Sequence, residues 1–159
     1  MALRNVLTVD NENESLRKQS RVVEKIDDKI LTIIEDMKET LYEKNGVGLA
    51  APQIGILKRI IIVDIGEGPI VLLNPVLVYQ KGEITEVEGC LSVPGVWGTV
   101  TRPEKVIVRG MNPEGETVEI EGEGLLARAF CHEIDHLNGI IYTDKVIDYV
   151  DPSQMQQEG

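Results

Sequence analysis

The stretch Cys131–Gly139, CHEIDHLNG, holds both histidines of the chain, His132 and His136, with Glu133 directly after the first. Residues four apart share one face of a helix, so this spacing predicts a helix on which two imidazoles converge. Such a pair can bind one metal ion, and Glu133 then stands where it can reach a water in an open coordination position and act as general base. The pattern is the H-E-x-x-H of metal hydrolases. Two buried core histidines would satisfy the same spacing without any chemistry, and the motif by itself leaves a third ligand unnamed.

Working outward, the helix is expected to begin near Glu123 and to run to about Leu137, with Gly139 as its stop. Before it, KVIVRGM (105–111) and ETVEIEG (116–122) read as a hairpin turning at Asn112-Pro113-Glu114-Gly115. ITEVEGCLSVPG (84–95) carries Cys90 between Gly89 and Leu91, and Lys81-Gly82-Glu83 before it is a turn. IIIVDI (60–65) and IVLLNPVLV (70–78) read as strands separated by Gly66-Glu67-Gly68-Pro69, with Pro75 demoting the second to an edge or interrupted strand. From Glu24 to Lys44 the residues Ile26, Ile30, Ile33, Ile34, Met37 and Leu41 recur at helical spacing, and Asn45-Gly46 supplies the stop. Packing explains that apolar stripe. Residues 1–23 read as an irregular polar arm anchored by Leu16, Val22 and Val23. Residues 146–159 read as a short polar tail, partly frayed.

The segment GVGLAAPQIG, Gly46–Gly55, formally contains G-x-G-x-x-A, but a helix precedes it, Pro52 interrupts it and a strand follows. A dinucleotide site needs the opposite order, and no G-K-[ST] completes a phosphate loop. Close approach of another backbone accounts for the glycines better. The fold class is therefore α+β: a single domain over 1–159, with short, mostly antiparallel strands packed around the C-terminal helix carrying HEIDH and an N-terminal amphipathic helix. A strand-borne Cys90 facing the helix-borne histidines would give three ligands and leave a fourth position open, the catalytic pattern. As a lone cysteine it could equally be a small buried hydrophobe.

Composition bounds the function. A net charge of -11 disfavours nucleic acid, DNA included, as a main partner. No apolar run is long enough for a signal peptide or a membrane span, and two cysteines forty-one positions apart fit a reducing cytoplasm better than a disulfide framework.

Three segments, GVGLAAPQ, EGCLS and HEIDHL, in this order and at these separations, resemble the peptide deformylase family. The resemblance implies an enzyme that removes the formyl group from the N-terminal formyl-methionine of newly made polypeptides. It implies that Cys90, His132 and His136 bind one divalent metal, Fe(II), which Zn(II), Ni(II) or Co(II) can replace. Glu133 is implied as the general acid/base, and Gln53 and the Leu91 N–H as donors to the oxyanion. The backbone around Gly48, with Val47 and Gly89, is implied to align the substrate peptide like an added strand. Two departures stand out: Cys131 replaces the usual glutamine before the first histidine, one helical step off the ligand face. The tail also lacks the basic cluster with which some members contact the ribosome. Arg102 is expected to fix Glu88 or Asp135 behind the ligands, and Arg128 to lie near the mouth of the site. The competing readings are a metallopeptidase, which leaves EGCLS unexplained, and a metal-stabilised binding module, which would have its fourth coordination position filled. A zinc deaminase is set aside because P-C-x-x-C is absent.

Overall fold

The computed structural model describes residues 2–151. Helices α1 (Val9–Leu16), α2 (Asp28–Glu43) and α3 (Leu125–Leu137) frame eight strands: β1 (Gly48–Ala50), β2 (Ile60–Val63), β3 (Ile70–Lys81), β4 (Ile84–Cys90), β5 (Val93–Arg102), β6 (Lys105–Met111), β7 (Thr117–Glu123) and β8 (Tyr149–Val150). They form a five-stranded sheet in the order β1-β2-β3-β6-β7 and a three-stranded sheet in the order β4-β5-β8. Every ladder is antiparallel, as the α+β reading expects.

The helix expected from the isoleucine spacing is α2. The Asp27 carboxylate caps its start by accepting the Ile30 N–H at 3.0 Å. Its end is a Schellman closure: Gly46 N–H donates to Leu41 O, Asn45 N–H donates to Tyr42 O, and Asn45 takes φ 55°. Ile33, Ile34, Met37 and Leu41 pack on Ile60, Ile62 and Leu73 on one side of the larger sheet. Ile61, Val63, Val106 and Val108 face the other side, where α3 lays down Ala127, Phe130 and Leu137. Both faces being covered, β2 is an unbroken apolar run rather than an alternating one. Each such fully buried aliphatic side chain contributes about 1.5–3 kcal/mol relative to exposure. A third cluster, with Leu16, Val93, Val100, Ile141 and Tyr142, fills the underside of the smaller sheet.

Several expectations need correction. Residues 9–16 are helical rather than irregular, and although Leu16 and Val23 are buried, Val22 is 57% exposed and anchors nothing. β3 is central rather than an edge, and of the two alternatives the interrupted strand is the one that holds. It accommodates Pro75 through a register shift between Leu73 and Val76, next to Asn74 at φ 54°. The Asn74 side chain accepts the Val23 N–H and donates to Val23 O, so it mimics a strand partner. Of the segment read as tail, Tyr149 and Val150 pair with Gly98 and Trp97 of β5; residues 152–159, where fraying was expected, lie outside the described residues.

This arrangement positions the site. β4 ends at Cys90, and α3 crosses β1, β2 and β7 of the neighbouring sheet, so the thiol meets the HEIDH face between the two sheets.

Candidate active site

The sulfur of Cys90 lies 3.3 Å from His136 Nε2, and one donor atom each from Cys90, His132 and His136 fall within 4.8 Å of one another. Ligands at about 2.0–2.3 Å from a tetrahedral ion stand roughly 3.5 Å apart, so Cys90 and His136 are already near that separation, while the widest pair of the cluster would draw in around one ion. The set is one thiolate and two imidazoles, and it comes from a strand end and a helix face. His132 turns its other nitrogen away: Nδ1 is 2.8 Å from Glu88 Oε1, which leaves Nε2 for the cluster. The Tyr142 ring stacks on His132 at 5.9 Å and its hydroxyl donates to Val96 O, fixing the plane of the imidazole.

Glu133 reaches from α3 to the backbone of β1. A methyl at Gly48 would come 2.5 Å from Glu133 Oε2, so glycine is required there. Glu133 is 4% exposed, and its Oε1 has no hydrogen-bond partner among the described residues. Burial pushes its carboxyl up to about 7. Gln53, in the short 3-10 turn after β1, is equally enclosed. Its Oε1 accepts the Ala50 N–H at 2.9 Å, while Nε2 donates to Ser92 Oγ at 3.1 Å and points at Cys90 Sγ at 3.6 Å. The amide is thereby oriented with its N–H group at the cluster.

A cavity of about 660 Å³ opens from these groups. Val47, Gly48, Gly89 and Leu91 line it together with Val87, Trp97, Leu125 and Ala129, which make one lobe apolar. Gly89 has a second reason to be glycine, because a Cβ there would run into the Trp97 indole. Every residue singled out in the sequence thus lies at one place: Cys90, His132 and His136 as the donor cluster, Glu133 and Gln53 beside it, Val47, Gly48, Gly89 and Leu91 along the cavity.

A model of the polypeptide deformylase family matches residues 3–151. The chain belongs to that family. A peptide deformylase of Alkaliphilus metalliredigens is 58% identical over 147 residues, covering 92% of this chain and 99% of the relative. One from Caldicellulosiruptor bescii is 54% identical over 157 residues, 99% of this chain and 93% of the relative. The crystal structure of a Synechococcus elongatus peptide deformylase in complex with actinonin superposes with a TM-score of 0.88, is 36% identical, and covers 98% of this chain and 85% of that one. As a member of this family the chain is a metal-dependent amidohydrolase.

Behind the donors of this deformylase lies a closed polar network. Glu88 accepts four hydrogen bonds: from Arg102 Nε at 2.8 Å and Nη2 at 3.0 Å, from Arg128 Nη1 at 2.6 Å, and from His132. Burial disfavours its charge, but the Arg102 and His132 bonds outweigh that and hold its carboxyl well below the usual range. Arg102 also donates to Asp135 at 2.6 Å, so it fixes both of the carboxylates proposed for it. Arg128 is not simply at the mouth: it is buried, and besides Glu88 it binds Val100 O at 2.9 Å and Ile84 O at 2.7 Å, tying α3 to the smaller sheet. Cys131 takes no part in the donor cluster; it packs with Phe130 and Leu137, and burial pushes its thiol up. The roles of Ser92, Tyr142 and Arg128 escaped the sequence reading. Only Ser92 had a local signal, its place two residues after Cys90 in EGCLS.

Proposed function

We propose that Cys90, His132 and His136 hold one divalent ion, Fe(II), and that Glu133, Gln53 and the Leu91 N–H act on a formyl group brought to it. The overall reaction follows from the family: the chain removes the N-terminal formyl group from nascent polypeptides, giving formate and a free α-amine. The observation that carries the site assignment is the convergence of three donors within 4.8 Å from two separate elements, beside a buried carboxylate with an unpartnered oxygen. A thiolate with two imidazoles accommodates Fe(II) and Zn(II) alike, and the choice of Fe(II) follows the resemblance to the family.

An ion held by Cys90, His132 and His136 would supply Lewis acidity, the chemistry that lowers the pKa of a bound water to about 7. Glu133 takes the proton from the attacking water as it adds to the formyl carbon, and returns it to the amine nitrogen as the C–N bond breaks. A carboxyl lifted by burial is matched to both halves of that transfer. Gln53 Nε2 and the Leu91 N–H donate to the formyl oxygen as it gains negative charge, each donor typically worth about 3–4 kcal/mol. The peptide backbone lies along Gly48, Val47 and Gly89, and the apolar lobe with Trp97 and Leu125 receives the methionine side chain. We read residues 1–159 as one such domain, working in the cytoplasm on chains leaving the ribosome; among the described residues no helix is long and apolar enough to cross a membrane.

Anaerobically purified protein should contain one iron per chain and release formate from formyl-methionyl peptides far faster than it cleaves any internal peptide bond. Endopeptidase activity without formate release would move the site to the metallopeptidase reading.

A further inference from the structure

We infer that the N-terminal arm, residues 2–8, positions the Gln53 amide for the reaction, an inference that rests on the oxyanion role given to Gln53 above. The arm and the residue that carries it into α1 are bonded to the walls of the site at two points. Leu7 N–H donates to the Gln53 backbone carbonyl at 2.7 Å, and Val9 N–H donates to the Ser92 carbonyl at 2.9 Å. Residues two apart on an extended chain point their N–H groups the same way, so one short segment grips both partners. Gln53 and Ser92 come from segments far apart in sequence and meet through the Gln53 Nε2–Ser92 Oγ bond. Val6 and Thr8 line the cavity beside them.

The other end of the arm is clasped to α2. The Asp36 carboxylate accepts the Ala2 N–H at 2.7 Å and Arg4 Nε and Nη2 at 2.8 Å each, while the Arg4 N–H donates to Thr40 Oγ1 at 2.9 Å. Asp36 and Thr40 are one turn apart and buried, on a helix whose other buried residues are apolar. Burying a carboxylate costs free energy unless it is paired, and here both of its oxygens are spent on the arm. Gln53 is therefore held from three directions: by Ala50 through its own oxygen, by Ser92 through its nitrogen, and by the arm through its main chain. Loss of the clasp frees the arm, and with it the main chain from which the Gln53 side chain is aimed. Displacing a reacting group by about 1 Å can cost roughly 100-fold in rate, so a partial loosening should be visible in turnover.

A double-mutant cycle tests this. The Arg4 side chain is 38% exposed, so Arg4→Ala removes the clasp without opening the core. It should keep its metal and leave KM within about twofold, yet lower kcat about 5- to 10-fold, with Arg4→Lys recovering part of the loss. Thr40→Val, which removes the acceptor of the Arg4 N–H at nearly constant volume, should do the same to a smaller degree. In a Gln53→Ala background, neither change should lower kcat further. If Arg4→Ala lowers only the melting temperature, or lowers kcat by the same factor with and without Gln53, the arm is merely structural and the inference is overturned. If Gln53→Ala alone leaves kcat untouched, the oxyanion role itself falls, and this inference with it.

Discussion

Two glutamates flank the histidine pair, and their surroundings are opposite. Glu88 and Glu133 are buried alike, at 6% and 4% exposure. Glu88 accepts four charge-assisted hydrogen bonds, and the Arg102 and His132 bonds outweigh burial to hold its carboxyl low. Glu133 keeps one oxygen without a partner among the described residues, and burial pushes its carboxyl up to about 7. A buried carboxylate whose lone pairs are all used is fixed in charge and position. One left unpartnered is free to exchange a proton. In the proposed reaction the first therefore orients a ligand, and the second works on water. The same contrast separates the two cysteines: Cys90 touches His136, whereas Cys131 is buried in the hydrophobic cluster with Val106 and Val108, outside the donor set.

The largest effect should come from the cysteines. Cys90→Ala removes a charged donor and should abolish tight metal binding and formate release. Cys131→Ser should keep stoichiometric metal, with a stability loss of about 1–3 kcal/mol from placing a hydroxyl in an apolar site. If Cys131→Ser lost the metal while Cys90→Ala kept it, the donor set would be wrong. Next in size is Gln53→Ala, which should fold and bind metal but lose about 100-fold in kcat. A near-normal rate would mean that the Gln53 amide serves only the turn it sits in.

Glu88→Gln probes the orienting side. With Arg128 and Arg102 losing a buried counter-charge, it should cost about 3 kcal/mol of stability and weaken metal binding about 10- to 100-fold through His132. Its pH signature follows from the sign of the shift. A carboxyl depressed in the folded state stabilises the protein above its ordinary value of 4.5, and that contribution is lost as pH falls through the lower folded value. Wild-type stability should thus decline on acidification with a component that Glu88→Gln lacks. Parallel acid-unfolding curves for the two proteins would count against the assignment.

The groups proposed to react were legible in the sequence because each sits in a short motif whose residue types carry chemistry: HEIDH, EGCLS and the glycine-rich stretch ending at Gln53. The hairpin β6-β7 and helix α2 were legible for the same local reason, a clean turn and a clean 3.6 period. What supports the site was not. Arg128 meets Glu88 across forty positions, and no periodicity reports such a pair. VDNENESL reads as loop because Leu16 is its one buried residue, too few to draw an apolar face. Pro75 argued against a central strand, and only Asn74, bonded to Val23, explains how the sheet takes it in. The arm that holds Gln53 looked irregular because its bonds, those of the Arg4 guanidinium apart, are made by main-chain N–H groups, which every sequence has.

The contrast between the glutamates is tested most directly by the rate of formate release from metal-loaded Glu133→Ala. With all three donors intact, the variant should bind one metal ion per chain and lose about 100- to 10,000-fold in kcat, the range expected for removing a general acid/base. A variant with full metal and a rate close to wild type would contradict the account, because the unpartnered carboxylate would then have no part in moving the proton.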